Sequence, residues 1–250
     1  RNKFMNYKYN PIEDCYATKK KIYIFRKEIE NKFNKVKKLS ILDFGCGNAN
    51  DFGKFLFNKQ YKYTGFDIHQ PSINYAKKVF NYKNVFFSTK LYKKKYDVIL
   101  ISEVLEHLTF PEKTLKLLYS LLNTNGIILG SIPNGYGLTE IEKFIIHKFG
   151  IYKSLRFLYN LFNKKTTRSK KIPFNYESGH IQHFTLRKFK KIVKDSKLNL
   201  EFIKNGSLMG ADVSGSTFLK PEFMRKLNGK IAEYLPSQLS VTWIFKLNKN

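Results

Sequence analysis

"ILDFGCGNAN", residues 41–50, decides how this chain is read. Ile41 and Leu42 end a buried run, Asp43 and Phe44 follow, and the next bend is made from Gly45 and Gly47. Glycine admits positive φ and lets backbone N–H groups approach a ligand with no Cβ between them. In an open parallel sheet such a bend lies at the carboxyl edge, where ligands bind. The dinucleotide fingerprint needs a third glycine where Asn50 stands. Asp43 would also repel a pyrophosphate. Twenty residues past Gly47 a second strand ends in Asp67 ("GFDI"), placed to accept hydrogen bonds from ribose hydroxyls. Two acids and a bare bend specify a nucleoside that carries positive charge and no phosphate.

Working outward, strands and helices alternate. Ile22, Phe25, Ile29 and Phe33 recur at helical spacing within 17–35. Strands are expected at 40–45, 61–68, 84–88, 96–102 and 126–133. Helices are expected at 49–58, at 71–81 with Pro71 in the first turn, and from a Thr109/Glu112 capping box to about Leu122. After Pro133 the rhythm breaks into an apolar, basic, helical insertion over 136–178. A helix capped by Thr185 (185–196) and strands at 198–206 and 240–248 follow. The last two are separated by a 207–239 insertion with a helix near 221–234. Alternation at this spacing predicts an α/β fold with helices on both faces of a mostly parallel sheet. The whole of 1–250 reads as one domain.

Composition narrows the partners. The net charge is +27, and 40 of the 46 basic residues are Lys. An anionic partner is one reading; the lysine-rich drift of an AT-rich genome is the other, since phosphate sites favour the Arg fork. The runs Lys19–Lys21, Lys93–Lys95, Lys164–Lys165 and Lys170–Lys171 read as solvated faces. Two cysteines, Cys15 and Cys46, make no disulfide framework and point to a reducing, cytoplasmic setting. No apolar run approaches the roughly 18–20 residues that span a bilayer.

"ILDFGCGNAN", "YTGFDI", "YDVILISEVLEHL" and "LNTNGIILGSIPN" resemble, in order and at family spacing, the motifs of class I S-adenosylmethionine-dependent methyltransferases. "GHIQHFTLRKFKKIVKDSKL" (179–198) is similar to an element of bacterial ubiquinone-type, sugar and lipid methyltransferases. The resemblance implies a Rossmann-like seven-stranded sheet with an antiparallel last strand, S-adenosylmethionine as cofactor and S-adenosylhomocysteine as product. By position it implies that Asp43, Gly45, Cys46 and Gly47 hold the methionine moiety. Asp67 would take the ribose hydroxyls and Ile68 the adenine face. Ser88 and Thr89 stand where the family often has an acid near the adenine amino group. Ser102 and Glu103 complete the cofactor set.

Methyl transfer needs an aligned nucleophile and, for a hydroxyl, a base. His107 and His183 are the first candidates, with His180 beside them. No metal is expected; were one bound, Glu103, Glu106, His107 and His180 would be its ligands, a pattern similar to metal-dependent RNA 2′-O-methyltransferases. The favoured acceptor is a small, anionic molecule methylated on oxygen: a sugar, a phosphorylated metabolite or a lipid-like precursor. A metal-assisted RNA 2′-O-methyltransferase is the alternative, and a degenerate scaffold subunit the second. The greasy insertion 136–178 also admits peripheral contact with an anionic membrane.

Overall fold

The computed structural model describes residues 16–33, 38–50, 57, 61–137, 173, 179–208 and 222–249. The described helices are α1 (Tyr16–Phe33), α2 (Gln70–Val79), α3 (Pro111–Leu121), α4 (Leu186–Asp195) and α5 (Glu222–Tyr234). The strands are β1 (Ser40–Phe44), β2 (Lys62–Phe66), β3 (Val85–Ser88), β4 (Tyr96–Ser102), β5 (Leu122–Pro133), β6 (Leu198–Asn205) and β7 (Thr242–Lys249). They form one seven-stranded sheet in the order β3-β2-β1-β4-β5-β7-β6. β7 alone runs antiparallel, between β5 and β6. This is the Rossmann-like arrangement expected from the alternation of elements.

Side chains on successive strand residues point to opposite faces. Val98 and Leu100 therefore join Ile41, Ile127 and Leu129 in one core with Ile22, Phe25 and Ile29 of α1 and Ile73 and Ala76 of α2. Ile99 and Ile101 join Leu42, Ile128, Trp243 and Phe245 in the other, under Leu115 and Leu118 of α3 and Phe189 and Val193 of α4. Two buried faces explain why β4 is continuously apolar.

Several boundaries differ from the sequence reading. Thr109 does not cap α3: Phe110 occupies the N-cap with no side-chain hydrogen bond. The Thr109 carbonyl accepts from Gln182 Nε2 instead, at 3.3 Å. Thr185 does cap α4, its Oγ1 accepting from Lys188 N at 3.1 Å. β5 starts at Leu122, before Gly126, because a register shift lets Tyr96 pair Leu122 while Val98 pairs Ile127. Apart from Phe57, the helix expected over 49–58 lies outside the described residues after Asn50, as does the insertion 136–178 apart from Tyr136, Gly137 and Pro173. No described helix is long and apolar enough to cross a membrane.

Candidate functional site

β1 ends in a bend tied to the tip of β2. Gly45 N and Cys46 N both donate to the Phe66 carbonyl, at 2.7 and 3.0 Å. Gly47 N donates to Asp67 Oδ2 and His69 N to Asp67 Oδ1, each at 2.8 Å. Two backbone donors fix the Asp67 carboxylate, and each oxygen keeps a lone pair for a further donor. Asp43 is 3% exposed and accepts from Tyr63 Oη at 2.5 Å.

The two glycines have positive φ, +79° at Gly45 and +53° at Gly47. A Cβ on Gly45 would come within 2.3 Å of Val104 Cγ2, whereas a Cβ on Gly47 would enter open space. Gly47 therefore lines a cradle and Gly45 makes room for it. Cys46, between them, packs against the core, and burial, with Asp43 and Asp67 nearby, pushes its thiol pKa up, so it stays a neutral thiol. Ile68 is 77% exposed at the same edge, an apolar face open to solvent. Ser88 and Thr89 close β3 half-buried, with Ser88 Oγ accepting from Lys90 N at 2.9 Å.

A second cluster sits at the ends of β4 and β5. Glu103 adopts φ +53°, a left-handed conformation that costs about 1 kcal/mol or more outside glycine. Its N–H is held by the Ser131 carbonyl at 3.0 Å, and its Oε1 accepts from Ser131 Oγ. Ser131 Oγ lies 2.9 Å from Ser102 Oγ, which accepts from Lys21 Nζ at 2.7 Å. Because the Ser131 proton goes to Glu103, the order of donation is Lys21 to Ser102 to Ser131 to Glu103. Lys21 is 7% exposed. Its reading as part of a solvated run is thus corrected, and so is that of Lys20. Lys20 Nζ bonds the Gly206 and Gly229 carbonyls and pairs with Glu233 at 2.9 Å. The missed signal was the spacing Lys21–Phe25–Ile29, which puts Lys21 on the buried stripe of α1.

Beyond Glu103 a short 3-10 turn, Leu105–His107, carries the third cluster. The Glu106 carbonyl accepts from Ile181 N and Gln182 N, both at 2.9 Å, and so anchors the H-x-x-H segment. The Glu106 side chain is fully buried, and neither carboxyl oxygen has a hydrogen-bond partner. Burial first, and the Glu103 charge second, push its pKa up to about 9, so it is neutral at pH 7. His107 Nδ1 lies 3.0 Å from the Gly179 carbonyl. A carbonyl only accepts, so Nδ1 carries the proton and Nε2 a lone pair in the neutral ring. Nε2 is 3.7 Å from Glu106 Oε1, and the His107 and His180 rings are 5.0 Å apart. Glu106, His107 and His180 bring one ligand atom each within 4.8 Å of one another. Glu103, whose Oε1 accepts from Ser131, is not among them. His183 is exposed and packs with its Cβ toward Gly135.

The fold, the bare bend between two acids and the polar end of β4 define a class I S-adenosylmethionine-dependent methyltransferase. The model of a methyltransferase-domain family matches residues 18–201, and the chain belongs to that family. No curated protein matches the sequence. Solved structures do. A S-adenosylmethionine-dependent methyltransferase from Clostridium acetobutylicum is 12% identical with TM-score 0.56 over 92% of each chain. The 1,6-didemethyltoxoflavin-N1-methyltransferase of Burkholderia thailandensis, with its acceptor and S-adenosylhomocysteine bound, is 13% identical with TM-score 0.55, over 95% of this chain and 80% of that one. The magnesium protoporphyrin IX methyltransferase of Synechocystis PCC 6803, with S-adenosylhomocysteine bound, is 14% identical with TM-score 0.55, over 94% and 84%. At these identities the likeness is one of fold.

Proposed function

We propose that the protein transfers a methyl group from S-adenosylmethionine to an oxygen of a small acceptor, with His107 as the base. The observation that carries the reading is the cradle. Its bend leaves open space beside Gly47, and its two acids favour a cation and hydroxyls over a pyrophosphate. Asp67 would hold the ribose hydroxyls, Ile68 the adenine face, and the 43–47 bend with Ser102 and Glu103 the charged methionine end. Bound there, S-adenosylmethionine supplies a methyl group on a sulfonium that leaves neutral, so the protein needs no acid. His107 Nε2 would take the acceptor hydroxyl proton while the Gly179 carbonyl keeps the ring oriented. Neutral Glu106 sets no competing negative charge against that ring at pH 7. A sugar, a phosphorylated metabolite or a lipid-like precursor remains the favoured acceptor class, and the exposed lysines suit an anionic one.

Isothermal titration with S-adenosylmethionine tests the cradle. Saturable binding is expected, weakened at least about tenfold by Asp67→Ala, which removes two hydroxyl acceptors. Absence of heat at millimolar ligand would favour a scaffold role. His107→Ala should leave that affinity intact and lower label transfer from methyl-labelled cofactor across a panel of sugars, phosphorylated metabolites and lipid precursors. His183→Ala is the paired control for the second candidate base.

One observation favours a second reading, metal-assisted transfer. The buried, unbonded Glu106 carboxyl faces two imidazoles within ligand distance of one another. We expect transfer to survive EDTA; abolition with rescue by Mg²⁺ or Mn²⁺ would install the second reading and reopen RNA as acceptor.

A further inference from the structure

We propose that the outer face of α5, with the basic cleft beside its C-terminal end, docks this protein onto an anionic phospholipid membrane. The helix wears its residues inside out. Gly229 and Ala232 point inward and are buried, while Phe223, Leu227, Ile231 and Tyr234 are 68%, 47%, 40% and 89% exposed. The first three recur at i, i+4 and i+8, one continuous ridge. Each of these large side chains leaves two-fifths or more of its surface in water. The fold grips main-chain carbonyls: Lys20 Nζ takes Gly229 O, and Asn205 Nδ2 takes Ala232 O and Leu235 O. The inward face needs only small residues for that close approach. Among the described residues, none covers this outward ridge of Phe, Leu and Ile.

The charge around the ridge selects the occupant. Lys226 and Lys230 are exposed on α5 itself. Beside its C-terminal end a cleft of about 710 Å³ is lined by Lys19, Lys20 and Lys204, with Tyr23 63% exposed at its wall. Glu233 also lines it, 2.9 Å from Lys20, so that pair cancels. The Lys20 side chain is buried and spends its ammonium on the Gly206 and Gly229 carbonyls. The cleft's outward charge is that of Lys19 and of Lys204, half-exposed 3.6 Å from Glu28. A second copy of this chain would set these lysines against one another, and the whole molecule carries +27. A nucleic acid would meet the lysines and leave the ridge in water. An anionic bilayer takes both: aliphatic and aromatic side chains enter the acyl boundary, tyrosines sit at headgroup level, and lysines meet phosphates in the cleft.

The geometry also orients the docked protein. Lys20 bonds the Gly206 carbonyl just after β6, and Asn134, just after β5, bonds the Gln238 carbonyl just after α5. The C-terminal end of α5 is thus fastened to the carboxyl edge of the sheet. Docking through α5 therefore sets that edge close to the lipid surface, which suits a lipid-borne acceptor. This last clause rests on the proposed transfer site; the docking does not.

Co-sedimentation with vesicles tests it. The protein should pellet with phosphatidylcholine vesicles containing phosphatidylglycerol and stay in solution with phosphatidylcholine alone. Leu227→Gln with Ile231→Gln should bind about tenfold more weakly, having lost two side chains from the acyl boundary. Lys226→Glu with Lys230→Glu should lose at least about fivefold per residue. Circular dichroism and S-adenosylmethionine affinity should be unchanged in both, which separates this proposal from the methyltransferase reading. The proposal is overturned if wild type ignores anionic vesicles. It is overturned equally if the apolar double variant binds like wild type, since adsorption is then charge alone, or if light scattering shows a dimer that this variant dissolves.

Discussion

Gly45 and Gly47 share a left-handed backbone and differ in what surrounds them, and the difference separates two costs. Gly45→Ala places a methyl 2.3 Å from Val104 and strains φ, so it should cost about 2–4 kcal/mol in denaturant melts. Gly47→Ala strains φ alone, about 1 kcal/mol, because its Cβ meets nothing within 4 Å. That methyl nonetheless projects into the cradle, so cofactor affinity should fall at least about tenfold while the melt shifts less than for Gly45→Ala. Glu106 makes the matching case for charge. Its folded pKa, about 9, lies above its unfolded value, so the folded state holds a proton the unfolded chain releases. Its contribution is fully present below about pH 4.5 and lost as pH rises toward 9. Glu106→Gln should therefore stabilise the protein at pH 7, by on the order of 2–3 kcal/mol, with the gain shrinking toward pH 4.5. Thermal melts of both forms in EDTA across that range check it; a pH-independent difference would remove the buried-acid account.

At the scale of elements, two caps and one helix face set what was legible. Thr185 was readable as a cap because its hydroxyl reaches Lys188 N locally. Thr185→Ala should cost about 1 kcal/mol in urea melts, the usual worth of an N-cap. Thr109 had the same local signature and fails, because the helix starts one residue later: Phe110 holds the N-cap, its carbonyl accepting from Thr114 N, and Pro111 opens the first turn. The strands were readable from apolar runs, and the bend at 43–47 from glycine chemistry. The Lys21–Ser102–Ser131–Glu103 chain was not, since Ser102 and Ser131 meet only through the register of β4 on β5. Lys21 carries a further consequence. Lys21→Met keeps the apolar stem but leaves Ser102 without its donor, at about 1–3 kcal/mol. The loss should appear in urea melts.

For the whole molecule, an excess of +27 is a global term that no single pair explains. Self-repulsion among exposed lysines weakens the compact state, and salt screens it within a Debye length of about 10 Å at 0.1 M. The melting temperature should rise between low and moderate ionic strength. A flat or falling curve would mean that the ion pairs, such as Lys246 with Glu28 and Glu201 at 2.9 and 2.7 Å, outweigh the repulsion.

The antiparallel strand fixes a schedule for the nascent chain. β7 is the last of the described strands yet lies inside the sheet, bonded to β5 on one side and β6 on the other. While the ribosome has still to deliver Thr242–Lys249, β6 has no neighbour to pair with and β5 presents a bare edge. β3, β2, β1, β4 and β5 can pair as they emerge; β6 waits for β7, which also supplies Ile244 to one core and Trp243 and Phe245 to the other. Translation must therefore pass Trp243 before the two cores can be sealed together.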